Sequence, residues 1–181
     1  MAFQRVYMRP TLMSCLALLT TMGLPLMAPA ANPQASAQSK GAVLLTVSGE
    51  VDHPLKLTAS DIAALPHVTV RAREHSGEDA TFKGVALIEI LKMAGMKFGE
   101  SMRGKALSIF FVVKASDGYQ VIFTPPELDP AFTDRTILLA DEKNGATLAA
   151  AEGPLRIVVP DEKRQARWVR DVLSISVRHA D

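Results

Sequence analysis

Cysteine is almost missing from this chain. Its 181 residues include one, Cys15, in a stretch that reads as a removable leader. The mature chain then has no disulfide, no thiol nucleophile and no thiolate to ligate a metal. An exported domain without disulfides must rely on its packed core. Charge of one sign is lacking too. The formal net charge is +1, so no basic balance points to nucleic acid. There is no P-loop, G-x-G-x-x-G, heptad or internal repeat, and the histidines show no His-x-x-x-His spacing. What is there is globular in composition: 48% apolar and 22% charged residues, enough for one domain with a core.

The N-terminus reads as a secretory signal peptide over residues 1–30. Arg5 and Arg9 form the positive end, Leu12 to Met27 the apolar segment, and Ala28-Pro29-Ala30 a cleavage site. Ala35-Ser36-Ala37 is an alternative site. An uncleaved anchor is disfavoured because the apolar run is short for a span. The expectation is a periplasmic or secreted protein without a stable membrane anchor. Residues 31–41, rich in Ala, Ser, Gln and Asn, read as a flexible leader to a domain over 42–181.

Within that domain the spacing predicts strands over Ala42–Val47, Val51–Leu57, His67–Arg73, Leu107–Val113, Tyr119–Phe123, Thr136–Ala140 and Val172–Val177. On His67–Arg73, Val68, Val70 and Ala72 share the apolar face. Thr58 to Asp61 and Thr124 to Glu127 read as capping boxes, the first opening a short helix ended by Pro66. Gly84 reads as the lead-in to a helix carrying Leu87, Ile88, Leu91 and Ala94, with Gly95 as its C-cap. Short strands with few short helices, not alternating regularly, predict an α+β fold with a mixed sheet core.

The densest chemistry lies in Gly153-Pro154-Leu155-Arg156-Ile157-Val158-Val159-Pro160 and the following Asp161 to Arg170. The first half is a buried strand, and Arg156 inside it needs a partner or a ligand. The second half holds Lys163, Arg164, Arg167, Arg170 and the sole tryptophan, Trp168. Arginine for anions and an indole for a flat ring suggest a heteroaromatic ligand. The plainer alternative is a solvated basic loop with Trp168 in the core.

Four segments, in order, resemble the molybdopterin-binding domain of the sulfite oxidase family. They are Val47-Ser48-Gly49-Glu50-Val51 with Pro54-Leu55; Phe82-Lys83-Gly84-Val85-Ala86-Leu87 with Ile90-Leu91; Asp117-Gly118-Tyr119; and Gly153 to Pro160 with Arg167-Trp168-Val169. The resemblance implies that family's fold and a pterin ligand. It also implies a molybdenum-ligating cysteine near position 72, where this chain has Ala72. Family enzymes carry glycines after the Val-Val-Pro segment, where this chain has Asp161 to Gln165. The expected ligand is therefore a pterin, or molybdopterin without catalytic molybdenum, with no catalytic residues.

A pterin offers a face for stacking and an edge of donors and acceptors. Trp168 and, after it, Tyr119 are candidates for the face. Glu74 and Asp117 are candidate edge acceptors, though Asp-Gly is also a plain turn. Arg71, Arg73, Arg156 and Arg167 are candidate donors, and His75 and Ser76 lie in the loop beyond the strand. Lys163 and Arg164 read as solvated or as part of a partner surface. The expected partner is the periplasmic domain of a membrane signalling protein. The alternatives are a molybdopterin-dependent oxidoreductase, or an interaction module with no ligand.

Overall fold

A computed structural model describes residues 41–180, all within the compact unit Ser39–Asp181. The expected signal peptide, the expected leader up to Lys40 and Cys15 lie outside the described residues. Among those described, no helix is long and apolar enough to cross a membrane.

Among the described residues, ten strands form two sheets. The first runs in the order β2-β1-β10-β5-β6, from β1 (Val43–Gly49), β2 (Leu55–Thr58), β5 (Ile109–Ala115), β6 (Gln120–Phe123) and β10 (Val172–His179). Strands β1 and β10 pair in parallel, and the other neighbours are antiparallel, so the sheet is mixed. The second runs β3-β4-β7-β8, with β9 also on β7. Its strands are β3 (His67–Arg73), β4 (Asp79–Ala86), β7 (Leu138–Lys143), β8 (Ala146–Thr147) and β9 (Arg156–Val158). The helices α1 (Ala59–Ala63) and α2 (Leu87–Met93) join them.

Both sheets bury their apolar rows in one cluster. Leu45, Val47, Phe111, Val113, Phe123, Ile175 and Val177 come from the first, and Phe82, Val85, Leu138, Leu139, Ile157 and Val158 from the second. Both capping boxes form. Thr58 N–H donates to Asp61 Oδ2 at 2.8 Å, and Asp61 N–H returns to Thr58 Oγ1 at 3.3 Å. Thr124 N–H likewise donates to Glu127 Oε2 at 2.8 Å.

Some expectations are corrected. Gly84 lies inside β4, an eight-residue strand, rather than in a lead-in to a helix. Its neighbour β7 passes so close that a Cβ would collide with the Leu139 carbonyl, and the β4–β7 register shifts between Lys83 and Gly84. Only glycine permits that approach. Residues Gly104–Ser108 form a 3-10 turn, so β5 starts at Ile109. On β3 the apolar face is uneven: Ala72 is buried, Val70 half-buried and Val68 exposed.

Candidate functional site

A cleft of about 790 Å³ opens where four segments converge. The end of β3 supplies Arg73, Glu74 and His75, and the β5–β6 turn supplies Ala115, Asp117 and Tyr119. Strand β9 supplies Arg156. The loop after it supplies Glu162, Lys163, Arg164, Gln165, Ala166, Trp168 and Arg170. Seven of the ten candidate residues named from sequence therefore meet in one place. Arg71, Ser76 and Arg167 do not line the cleft.

Arg156 is the inner wall. It is 3% exposed, and its Nη1 donates to Glu74 Oε1 at 3.1 Å and to Glu152. Lys143 Nζ closes the network on Glu74 Oε2 at 2.6 Å. The buried arginine thus has the partners its position demanded. Its Nε is buried with no hydrogen-bond partner among the described residues. Burial acts to raise the Glu74 carboxyl. Hydrogen bonds from Lys143 and Arg156, and their charges, outweigh it and hold Glu74 below the usual carboxylate range.

Trp168 is 5% exposed and donates from Nε1 to the Val159 carbonyl at 3.0 Å. It meets Phe82 edge-on, with ring centroids 5.7 Å apart. The Arg156 guanidinium lies 5.2 Å from the Trp168 ring and 5.4 Å from Phe82, a cation held against two rings. Trp168 therefore belongs to the core and borders the cleft at once. The part of it open to a ligand is small.

Arg167 is committed elsewhere. Its Nη1 donates to Glu127 Oε1 at 2.6 Å and its Nε to Glu162 Oε1 at 2.8 Å, with its guanidinium 4.8 Å from the Phe123 ring. Burial opposes its charge, but these two carboxylates more than compensate and raise its pKa. Arg167 thus anchors the loop rather than facing a ligand. Arg71 borders an adjoining hollow of about 280 Å³ that shares Arg73, Glu162 and Trp168 with the cleft. Arg73 pairs with Asp79 at 3.1 Å. Ser76 accepts from Glu78 N–H at 3.4 Å within its own turn. Asp117 accepts from Tyr119 N–H at 2.8 Å, so one of its oxygens serves the turn.

Two tethers hold the basic loop over the cleft. Gln165 Nε2 donates to the Arg73 carbonyl at 2.8 Å, and the Tyr119 hydroxyl to the Ala166 carbonyl at 2.6 Å. Sequence reasoning missed Gln165 and Ala166, whose roles rest on long-range partners. Lys163 and Arg164, read as solvated or as part of a partner surface, are exposed, and both also line the cleft. Their clustering with Arg170 was the available signal. The loop leaves β9 through Asp161 at φ 65°, a left-handed position that aspartate tolerates better than most residues.

Fold and cleft together define a two-sheet α+β domain with a ligand-sized, arginine-rich opening at one end of its sheets. The profile of the oxidoreductase molybdopterin binding domain family matches residues 33–181, and the chain belongs to that family. It is 30% identical over 143 residues to the Bacillus subtilis (strain 168) protein described as uncharacterized oxidoreductase YuiH, covering 75% of this chain and 66% of that one. In structure it resembles the sulfane dehydrogenase SoxCD from Paracoccus pantotrophus with a TM-score of 0.58 and 22% identity. That match covers 74% of this chain and 37% of the SoxCD chain, so this domain spans only part of either relative. The sulfite-oxidase-like fold is thereby shown.

Proposed function

We propose that the cleft binds a pterin as a ligand, that this domain performs no molybdenum redox chemistry itself, and that it reports pterin occupancy to a partner. The pterin part of a molybdopterin suits the donors present. A cleft of about 790 Å³ is within the size of small-molecule sites. Arg156 offers a buried guanidinium beside Trp168, and Lys163, Arg164 and Arg170 offer cations for an anionic side chain. The metal part does not suit them. Position 72, where the family resemblance implies the thiolate, holds an alanine buried in β3, and a methyl group cannot ligate.

That alanine, which lines the hollow beside the cleft, is the single observation carrying the metal-free part of the reading. The test is metal analysis and fluorescence of the protein purified from its own periplasm, with membranes prepared in parallel from cells able and unable to make pterin. The expected result is bound pterin without stoichiometric molybdenum, and a membrane signalling protein recovered in a pterin-dependent way. Stoichiometric molybdenum with sulfite- or sulfoxide-dependent turnover defeats the ligand reading. A partner recovered equally with and without pterin defeats the reporter reading alone. Support for a reporter comes from the export signal and from the mixed-charge rim Asp161 to Arg164, a composition that sets specificity more than affinity.

A second reading is favoured by the family description and by the Bacillus relative's name. Here the domain is a molybdopterin-dependent oxidoreductase whose metal takes no cysteine from this chain. The same metal analysis separates the two.

A further inference from the structure

Strand β3 is an open edge. It ends the second sheet, which runs β3-β4-β7-β8, and it is paired along its whole length on one side, to β4. The phase of the hydrogen bonds decides which backbone groups face out. Just past the strand, Glu74 N–H donates to the Glu78 carbonyl at 2.8 Å. Antiparallel bonding alternates along the strand. Ala72, Val70 and Val68 therefore bond to β4, while Arg73, Arg71 and Thr69 turn their N–H and C=O groups outward. An independent contact agrees with this phase: the Arg73 carbonyl accepts from Gln165 of the cleft loop at 2.8 Å. The outward groups of Thr69 and Arg71 meet no other strand and no backbone partner among the described residues.

The side chains along this edge are not neutral. Arg71 and Arg73 share the outer row of β3, and both are largely exposed. Among the described residues they have one carboxylate between them, Asp79, at 3.1 Å from Arg73 and 4.0 Å from Arg71. Lys83, opposite Thr69 on β4, is already paired with Glu142 at 2.8 Å. The inner row offers Val68, exposed, and Val70, half-buried. A strand laid along β3 meets arginines on one face and valines on the other. Charge on an edge strand is a usual bar to pairing with a like copy, and it leaves a strand of opposite charge as the one that fits.

We propose that β3 is a docking edge for an extended segment of a partner protein, one in which acidic residues alternate with apolar ones. Backbone bonds to Thr69 and Arg71 supply affinity, and the alternating side chains supply selection. The acids face Arg71 and Arg73, and the apolar residues cover Val68 and Val70. The docked segment ends beside Gln165, against the loop that walls the cleft. Docking here does not depend on whether the cleft holds a pterin, so its failure leaves the pterin reading standing.

A short peptide alternating glutamate with valine and its lysine–valine counterpart are the probes. Each is titrated into the protein while amide resonances are followed by NMR. The glutamate peptide is expected to shift the Thr69 and Arg71 amides saturably. The lysine peptide is expected to bind about tenfold more weakly, because attraction turns to repulsion at two exposed arginines. Thr69→Pro removes an outward N–H and spares the ladder to β4, a place where an edge strand admits proline. It is expected to weaken the glutamate peptide about tenfold. Arg71→Glu, at a largely exposed side chain, is expected to abolish the preference between the two peptides. Equal affinity of the parent for both peptides overturns the proposal, as does the lack of a saturable shift at those amides. So does a Thr69→Pro variant that binds like the parent, or an Arg71→Glu variant that keeps the preference. Protection of the Thr69 and Arg71 amides from hydrogen exchange in the protein alone overturns it too, since the edge is then already covered by this chain or by a second copy.

Discussion

His67 sits between two acceptors. Its Nδ1 faces the Leu65 carbonyl at 2.8 Å and its Nε2 faces Asp141 Oδ2 at 2.9 Å. A neutral ring carries one N–H and can serve only one of them, whereas the imidazolium serves both. The Asp141 hydrogen bond is the largest influence on the ring and raises its pKa above the ordinary 6.5, against an opposing effect of burial. A raised folded-state pKa adds stability that is fully present below the unfolded value and is lost as pH rises through the folded one. The expected outcome is that His67→Phe destabilises the protein more at pH about 6 than at pH about 8. Urea midpoints across that range measure it, and a pH-independent difference would show that the ring acts only by packing. How far such residues were legible varies. Arg156, a charge inside an apolar run, announced that it needed a partner. That its partner would be Glu74, 82 positions away, was not written locally. Trp168 was legible as a cleft residue or a core residue, but no sequence pattern says that one ring can be both.

Strand β4 was concealed by its own device. Its burial alternates cleanly from Asp79 to Gly84, with Ala80, Phe82 and Gly84 inside and Thr81 and Lys83 outside. A glycine in an apolar stretch reads first as a breaker, and this one is instead where β7 presses against the strand. The capping boxes were legible because their chemistry is local, as is that of the Asn144-Gly145 turn, where Asn144 takes the left-handed φ of 51° such a turn requires. The tethers of the 161–170 loop were not, because Gln165 and Tyr119 reach carbonyls 92 and 47 residues away. Gly84→Ala is expected to cost about 2–3 kcal/mol, as overpacking against a fixed backbone does. Denaturant unfolding measures it. A loss below about 0.5 kcal/mol, the scale of a surface substitution, would mean that β4 and β7 can separate to admit a methyl group.

At the scale of the whole molecule, a net charge of +1 hides a polarity. The cleft is lined by Arg73, Arg156, Lys163, Arg164 and Arg170 against Glu74, Asp117 and Glu162, while a hollow of about 580 Å³ bordered by Leu44 and Ile62 has, among the described residues, two charged lining residues, Asp141 and Asp171. Within the cleft the inner charges are spent on each other. Arg156 pairs with Glu74, and Glu162 with Arg167. Lys163, Arg164 and Arg170 are exposed and keep no carboxylate partner among the described residues. They therefore act on whatever enters as a screened field rather than as fixed contacts. A ligand should then be held by two separable effects: an inner one from Arg156 and Trp168, insensitive to salt, and an outer one from the rim, sensitive to it. The expected outcome is that a pterin with a phosphorylated side chain binds tighter than one with a neutral side chain. Raising salt from about 50 mM to about 500 mM should erase most of that advantage, since the Debye length then falls within the span of the rim. Lys163→Gln combined with Arg164→Gln should erase it at low salt, a change of about fivefold at the worth of exposed ion pairs, and leave the neutral pterin's affinity as it was. Fluorescence titration of both ligands at both salt concentrations measures this. If the double variant weakens the two pterins equally, the rim shapes the cleft rather than charging it, and the separation of inner from outer recognition fails.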